Sequence, residues 1–62
     1  MRLKFLREQK GITQKELGTV IGVEQNTISQ WETSERLPRA DKLLQLAKVL
    51  GCTVEELLMG EE

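Results

Sequence analysis

Gln25, Asn26, Ser29 and Gln30 are the residues of this chain best suited to do chemistry. They lie in the run GVEQNTISQWE, Gly22 to Glu32, with two large apolar side chains, Ile28 and Trp31. All four carry neutral groups that both donate and accept hydrogen bonds. On a helix turning ~100° per residue, with Gln25 at zero, Ser29 falls near ~40°, Asn26 near ~100° and Gln30 near ~140°. Trp31 and Ile28 fall near ~240° and ~300°, on the opposite side. The apolar pair therefore faces a core and the polar four face outward together. Gln and Asn amides can bond an adenine edge in pairs, and Ser can serve any base edge. Taken alone, such a face is more simply an ordinary solvated helix surface.

Other chemistry is thin. The chain has no His, no Tyr and one Cys. Cys52, between Gly51 and Thr53, has no partner for a disulfide, which points to a reducing compartment. Without His, neither a zinc site nor a Cys–His nucleophile is available. Cys52 is expected to be a small buried hydrophobe. The carboxylate pairs Glu55–Glu56 and Glu61–Glu62 read as helix-start charge and a solvated tail. With no Gly-rich phosphate loop and no nucleophile–base pair, an enzyme is excluded and no metal or cofactor is expected.

The 62 residues fit one domain, 1–62, whose stability is modest because so short a chain buries only about 60% of its unfolded surface. At 39% hydrophobic and 31% charged residues the composition is globular rather than disordered. The net charge of −1 argues against a polyanionic partner,. Its distribution argues the other way. Residues 53–62 carry Glu55, Glu56, Glu61 and Glu62 and no base, so residues 1–52 hold 9 bases and 6 acids, a balance of +3. No apolar run approaches the ~18 residues of a membrane span, so a cytoplasmic location is expected, with no membrane partner.

The elements that must position the polar face can be read from caps and spacing. Gly11, Gly22, Gly51 and Gly60 each follow an amphipathic run, where glycine closes a helix. Thr13-Gln-Lys-Glu16 and Thr53-Val-Glu-Glu56 are capping boxes, with Ile12/Leu17 and Cys52/Leu57 as their hydrophobic staples. Pro38 breaks the chain before the next helix. Apolar residues recur at three and four throughout, and no segment alternates like a strand. The reading is all-α: five helices at about 1–10, 14–21, 25–32, 40–50 and 54–59. Helix 14–21 ends at Gly22, Val23 is apolar, and the next helix starts at once. That is a helix-turn-helix, whose second helix enters a DNA major groove.

From these residues a family resemblance follows. TQKELGTVIGVEQNTISQWE resembles the helix-turn-helix of the Cro and phage-repressor type DNA-binding domains, the XRE family. LKFLREQKGIT is similar to that family's first helix. WETSERLPRADKLLQLAKVLGCTVEELLMG is similar to its tail, with an aromatic–Glu pair, a loop ending in Pro, a Leu-Ala helix and a short last helix. The resemblance implies a compact five-helix bundle of the lambda-repressor-like kind. It implies sequence-specific binding of double-stranded DNA by a transcriptional regulator, a repressor. The competing reading is a protein-binding module, an antitoxin or adaptor using the same fold.

Carried over, the resemblance makes Gln25, Asn26 and Gln30 base readers, with Glu24 and Ser29 at the margin. It makes Gln14 a phosphate contact at the start of the second helix. Thr33, Ser34, Arg36 and Arg39 match the loop that follows the DNA backbone. Gln14 equally suits any first helical turn, and Arg36 equally suits a solubilising role. Arg39 is more telling, because a cation at a helix start is disfavoured by ~0.3–1 kcal/mol and suggests an outside anion. Glu32 falls near ~340° on the helix, at the core margin, where a carboxylate needs a partner. The resemblance implies that Arg7, on the first helix, supplies it as a partly buried ion pair.

Three positions depart from the family. Gly18 stands where Ala is usual, inside a helix, which costs ~1 kcal/mol in propensity and suggests close packing of the two motif helices. Val20 stands at a normally polar position and suggests a contact surface. Glu24 replaces the usual Ser or Thr, caps poorly and would repel phosphate unless it accepts from a cytosine N4.

The resemblance also implies a two-fold dimer on a pseudo-palindromic operator. The last helix is the expected surface for a weak homodimer, through Val54, Leu57, Leu58 and Met59. Leu57 and Leu58 are expected to lean toward the core, and Met59 to be exposed.

Overall fold

Alternation of capping devices and apolar spacing divides the chain into five helices among the described residues, 1–59, of a computed structural model. They are α1 (Leu3–Gln9), α2 (Gln14–Ile21), α3 (Gln25–Glu32), α4 (Ala40–Leu50) and α5 (Val54–Leu58). The all-α reading and the order of elements hold. The expected stop at Gly60 and the charges of Glu61 and Glu62 lie outside the described residues.

Both capping boxes form. Glu16 N–H donates to Thr13 Oγ1 at 3.0 Å while Thr13 N–H donates to Glu16 Oε1 at 2.8 Å. Thr53 and Glu56 repeat the exchange at 3.0 and 2.9 Å. Each box satisfies two of the amides that a helix start leaves unpaired. The staple residues follow, with Leu17 and Leu57 fully buried and Ile12 and Cys52 packed against the core.

Helix α3 ends without the glycine that closes its neighbours. Ser34 takes the left-handed conformation there, at φ 66°, the one non-glycine residue to do so among the described residues. Its N–H donates to Trp31 O at 3.2 Å, and Glu35 N–H donates to Gln30 O at 2.9 Å. This is a Schellman closure with serine in glycine's place. It sets the direction of the loop that carries Arg36 and Arg39.

The core is Leu3, Leu17, Ile21, Ile28, Trp31, Leu46, Leu50 and Leu57, contributed by all five helices. Several expectations near the C-terminal end need correction. Helix α5 stops at Leu58, not 59, because Met59 is extended at φ −60° and ψ 153°. Leu58 is not turned to the core but is 48% exposed. Leu57 takes the inward side of this short helix, and Leu58 falls ~100° further round. Leu57 is fully buried, so it cannot belong to a dimer surface. Cys52 is half-buried rather than buried. Burial raises its thiol pKa, Glu56 raises it further and Arg2 opposes, so it stays a protonated, weakly reactive thiol.

Gly18 is buried where α2 meets the turn. A Cβ built there would sit 2.7 Å from the backbone oxygen of Val23, closer than any side chain tolerates. The absent side chain thus lets α3 start directly against α2. Gly18→Ala gains about 1 kcal/mol in helix propensity, but overpacking against backbone costs about 1–3 kcal/mol. The expected outcome is a net loss of about 1 kcal/mol, read as a Tm lower by about 4–8 °C in a domain of this size. An alanine variant that melts at or above the parent would show that the two helices can separate freely.

Candidate nucleic-acid interface

The outward face of α3 is built from the inside. Ile28 and Trp31 are buried and fix the rotation of the helix about its axis. Glu24, Gln25 and Asn26 are then exposed, while Ser29 and Gln30 are half-buried toward the end of α3. The polar side chains share one side, as the helical spacing predicts, but the exposed apex is its first turn. Glu24 stands at the N-cap of α3 and makes no capping bond with its side chain.

Behind this face runs a chain of polar side chains that joins three helices. Arg7 Nε on α1 donates to Glu32 Oε2, and Arg7 Nη2 lies 3.4 Å from Glu32 Oε1. The side chains of this pair are only 10% and 4% exposed. Arg7 Nη1 also donates to Ile12 O at 2.8 Å, which ties it to the start of the motif. Glu32 Oε1 accepts from Gln14 Nε2 at 2.9 Å. Gln14 Oε1 in turn accepts from Gln25 Nε2 at 3.3 Å.

This relay has a direct chemical consequence. The carboxylate orients the Gln14 amide, and Gln14 orients the Gln25 amide. Gln25 is left with its carbonyl oxygen and one N–H, the pair needed for an adenine edge. Gln14, expected as a phosphate contact, is thereby also a support for its neighbour on α3. Sequence reasoning did not reach the Gln14–Gln25 contact, because it depends on the close approach at Gly18.

The loop residues follow the C-terminal end of α3. Thr33, Ser34, Arg36 and Arg39 are all exposed. Thr33 Oγ1 donates its proton to Gln30 O at 3.2 Å, so it must rotate before it can donate to a phosphate. Arg39 occupies the N-cap of α4 with no capping bond from its side chain. Between α3, this loop and α4 lies a groove of about 410 Å³ lined by Val23, Thr27, Trp31, Arg36, Leu37, Arg39 and Lys42. Among the described residues, no group of His, Cys, Asp and Glu could hold a metal ion.

This geometry has a match. A helix-turn-helix family model covers residues 3–57. The chain belongs to the helix-turn-helix family, of the Cro and phage-repressor type. It is 42% identical over 60 residues to the repressor protein C2 of Salmonella phage P22, covering 97% of this chain and 28% of that protein. It is 36% identical to the transcriptional activator BcrR of Enterococcus faecalis, covering 98% of this chain and 30% of that protein. With the transcriptional regulator DicA of Escherichia coli it is 31% identical, covering 98% and 45%. The chain thus spans less than half the length of these relatives. The fold superposes on a crystal structure of the P22 c2 repressor in complex with a synthetic operator in the presence of Tl+. The TM-score there is 0.89 at 42% identity, covering 97% of this chain and 91% of that one. These relatives are a repressor, a transcriptional activator and a transcriptional regulator.

Proposed function

We propose that this helix-turn-helix domain binds double-stranded DNA in a sequence-specific manner, as part of a transcriptional regulator and most simply a repressor. The observation that carries the reading is the superposition on a repressor bound to its operator, with the amides of α3 on the exposed side. Helix α3 enters the major groove. Gln25, Asn26 and Gln30 read base edges, with Ser29 and Glu24 at the margin. Glu24 accepts from a cytosine N4, the base-edge group that suits a carboxylate. Gln14, Thr33, Ser34, Arg36 and Arg39 hold phosphates on either side and set the register.

The antitoxin or adaptor alternative has Val20 in its favour, 63% exposed on α2. The relatives are a repressor, an activator and a regulator of transcription, which favours DNA. Among the described residues no helix is long and apolar enough to cross a membrane, in keeping with a cytoplasmic protein.

Assembly follows from the size of the face. One α3 reads too few base pairs for a genome, so two copies on a pseudo-palindrome, with reading helices about 34 Å apart, complete the site. The last helix offers Leu58, Met59 at 53% exposure and half-buried Val54. With Leu57 buried, that patch falls well below the roughly 1,200 Å² of a stable complex. Pairing is therefore weak in solution and cooperative on DNA.

The test is the salt dependence of DNA binding. Each phosphate contact contributes about 0.9 to the slope of log affinity against log salt. Arg39→Ala is expected to weaken binding to all sequences about equally and to flatten the slope by about one. A flat salt response in the parent chain would reject DNA binding in favour of a protein partner. An unchanged slope in the variant would remove Arg39 from the backbone contacts.

A further inference from the structure

The groove beside α3 has a composition that the loop contacts alone do not account for. Its lining includes three cations, Arg36, Arg39 and Lys42, and no carboxylate. Its apolar lining is Val23, Trp31 and Leu37, with Thr27 among them. Leu37 is 71% exposed, an apolar side chain held in water between two arginines in sequence. Lys42 is half-buried and reaches from α4 back to the motif, where its Nζ donates to Ile21 O at 3.3 Å. That carbonyl is at the C-terminal end of α2, where a cation is favourable. An ammonium has three donors, so two remain after this bond.

We propose that this groove clamps the sugar–phosphate backbone of one DNA strand, and that Lys42 is a phosphate ligand alongside Arg36 and Arg39. The proposal rests on the DNA-binding reading and adds α4 and an apolar floor to it. The occupant is set by charge and by continuity. Three cations around an apolar floor match a deoxyribose flanked by phosphates, and Thr27 and Trp31 belong to the helix that would lie in the major groove. A deoxyribose rests on Val23 and Leu37 while the cations take the phosphates on either side. Lys42 keeps its bond to Ile21 O and donates a second to phosphate, linking α4, the end of α2 and the strand. The clamp is blind to sequence and fixes the height at which α3 sits in the groove.

The experiment is a salt titration of binding to a random-sequence duplex with the full chain and four variants. Lys42→Gln keeps a donor for Ile21 O and removes the charge. For it, the affinity lost between 50 and 200 mM salt should shrink by about 3.5-fold, the equivalent of one phosphate. Lys42→Arg should restore the parent slope, which a purely structural role for the bond to Ile21 does not require. Leu37→Glu and Leu44→Glu each place one carboxylate at an exposed leucine, and Leu44 lies outside the groove. Leu37→Glu should weaken binding at least tenfold more than Leu44→Glu. Equal slopes for the parent and Lys42→Gln, or equal losses for the two glutamate variants, would overturn the clamp while leaving DNA binding intact. If the parent itself fails to bind, the DNA reading falls and the clamp falls with it.

Discussion

Replacing Glu32 with alanine should destabilise the domain by about 3 kcal/mol, because it leaves the Arg7 guanidinium buried without its counter-charge. Removing one partner of a buried ion pair costs about 3–5 kcal/mol, and side chains only 10% and 4% exposed place this pair within that range. Arg7 Nη1 keeps its bond to Ile12 O, which holds the loss near the lower end. A chain of this length holds only about 3–9 kcal/mol in total, at roughly 0.05–0.15 kcal/mol per residue. The loss is therefore between a third and all of its stability. It should appear as a urea midpoint moved far down, or as a chain unfolded in buffer. A loss of less than about 1 kcal/mol, the value of an exposed pair, would mean that Arg7 finds another partner. Replacing both residues by apolar side chains of similar volume should recover much of the loss, since well-packed hydrophobes substitute readily for buried ion pairs.

Truncating Gln25 should act on recognition instead of stability. The side chain is exposed, and its one hydrogen bond among the described residues is a 3.3 Å contact to Gln14. Gln25→Ala should cost about 1–3 kcal/mol in affinity for the preferred site and relax preference at one base pair. Binding to unrelated duplex should change little, which sets it apart from Arg39→Ala. Because Gln14 orients Gln25, Gln14→Ala should reproduce part of the loss of preference in addition to its phosphate effect. If Gln25→Ala weakens specific and random DNA alike, Gln25 is not reading a base and the relay serves only to hold α2 against α3.

The parts of this molecule legible in the sequence are those decided within a few residues. Thr13 and Thr53 each carry a glutamate three positions later, and both boxes form because the geometry is local. Ile28 and Trp31 set the rotation of α3 by their spacing alone. Gly18 could be singled out as a glycine in a helix, and the 2.7 Å approach of Val23 O gives the reason. What remained hidden depends on distances between helices. Nothing in the spacing of Gln14, Gln25 and Glu32 says that their side chains touch. Lys42 gives no sign that it bridges to the end of α2. Ser34 hides a helix stop because serine rarely takes the conformation that glycine takes at the neighbouring ends. Leu58 departs from its expected inward position because α5 is too short for a spacing rule to choose between adjacent leucines.

The central claim is that the exposed turn of α3 reads base edges from a scaffold fixed by Gly18, Trp31 and the Arg7–Glu32–Gln14–Gln25 relay. Selection of bound sites from a pool of random duplexes tests it most directly. The expected result is one enriched motif in two inverted halves, centred about 10 base pairs apart, one helical turn. Repeating the selection with Gln25→Ala should lose preference at the same position in both halves. A pool that stays random while the chain remains folded would contradict the account.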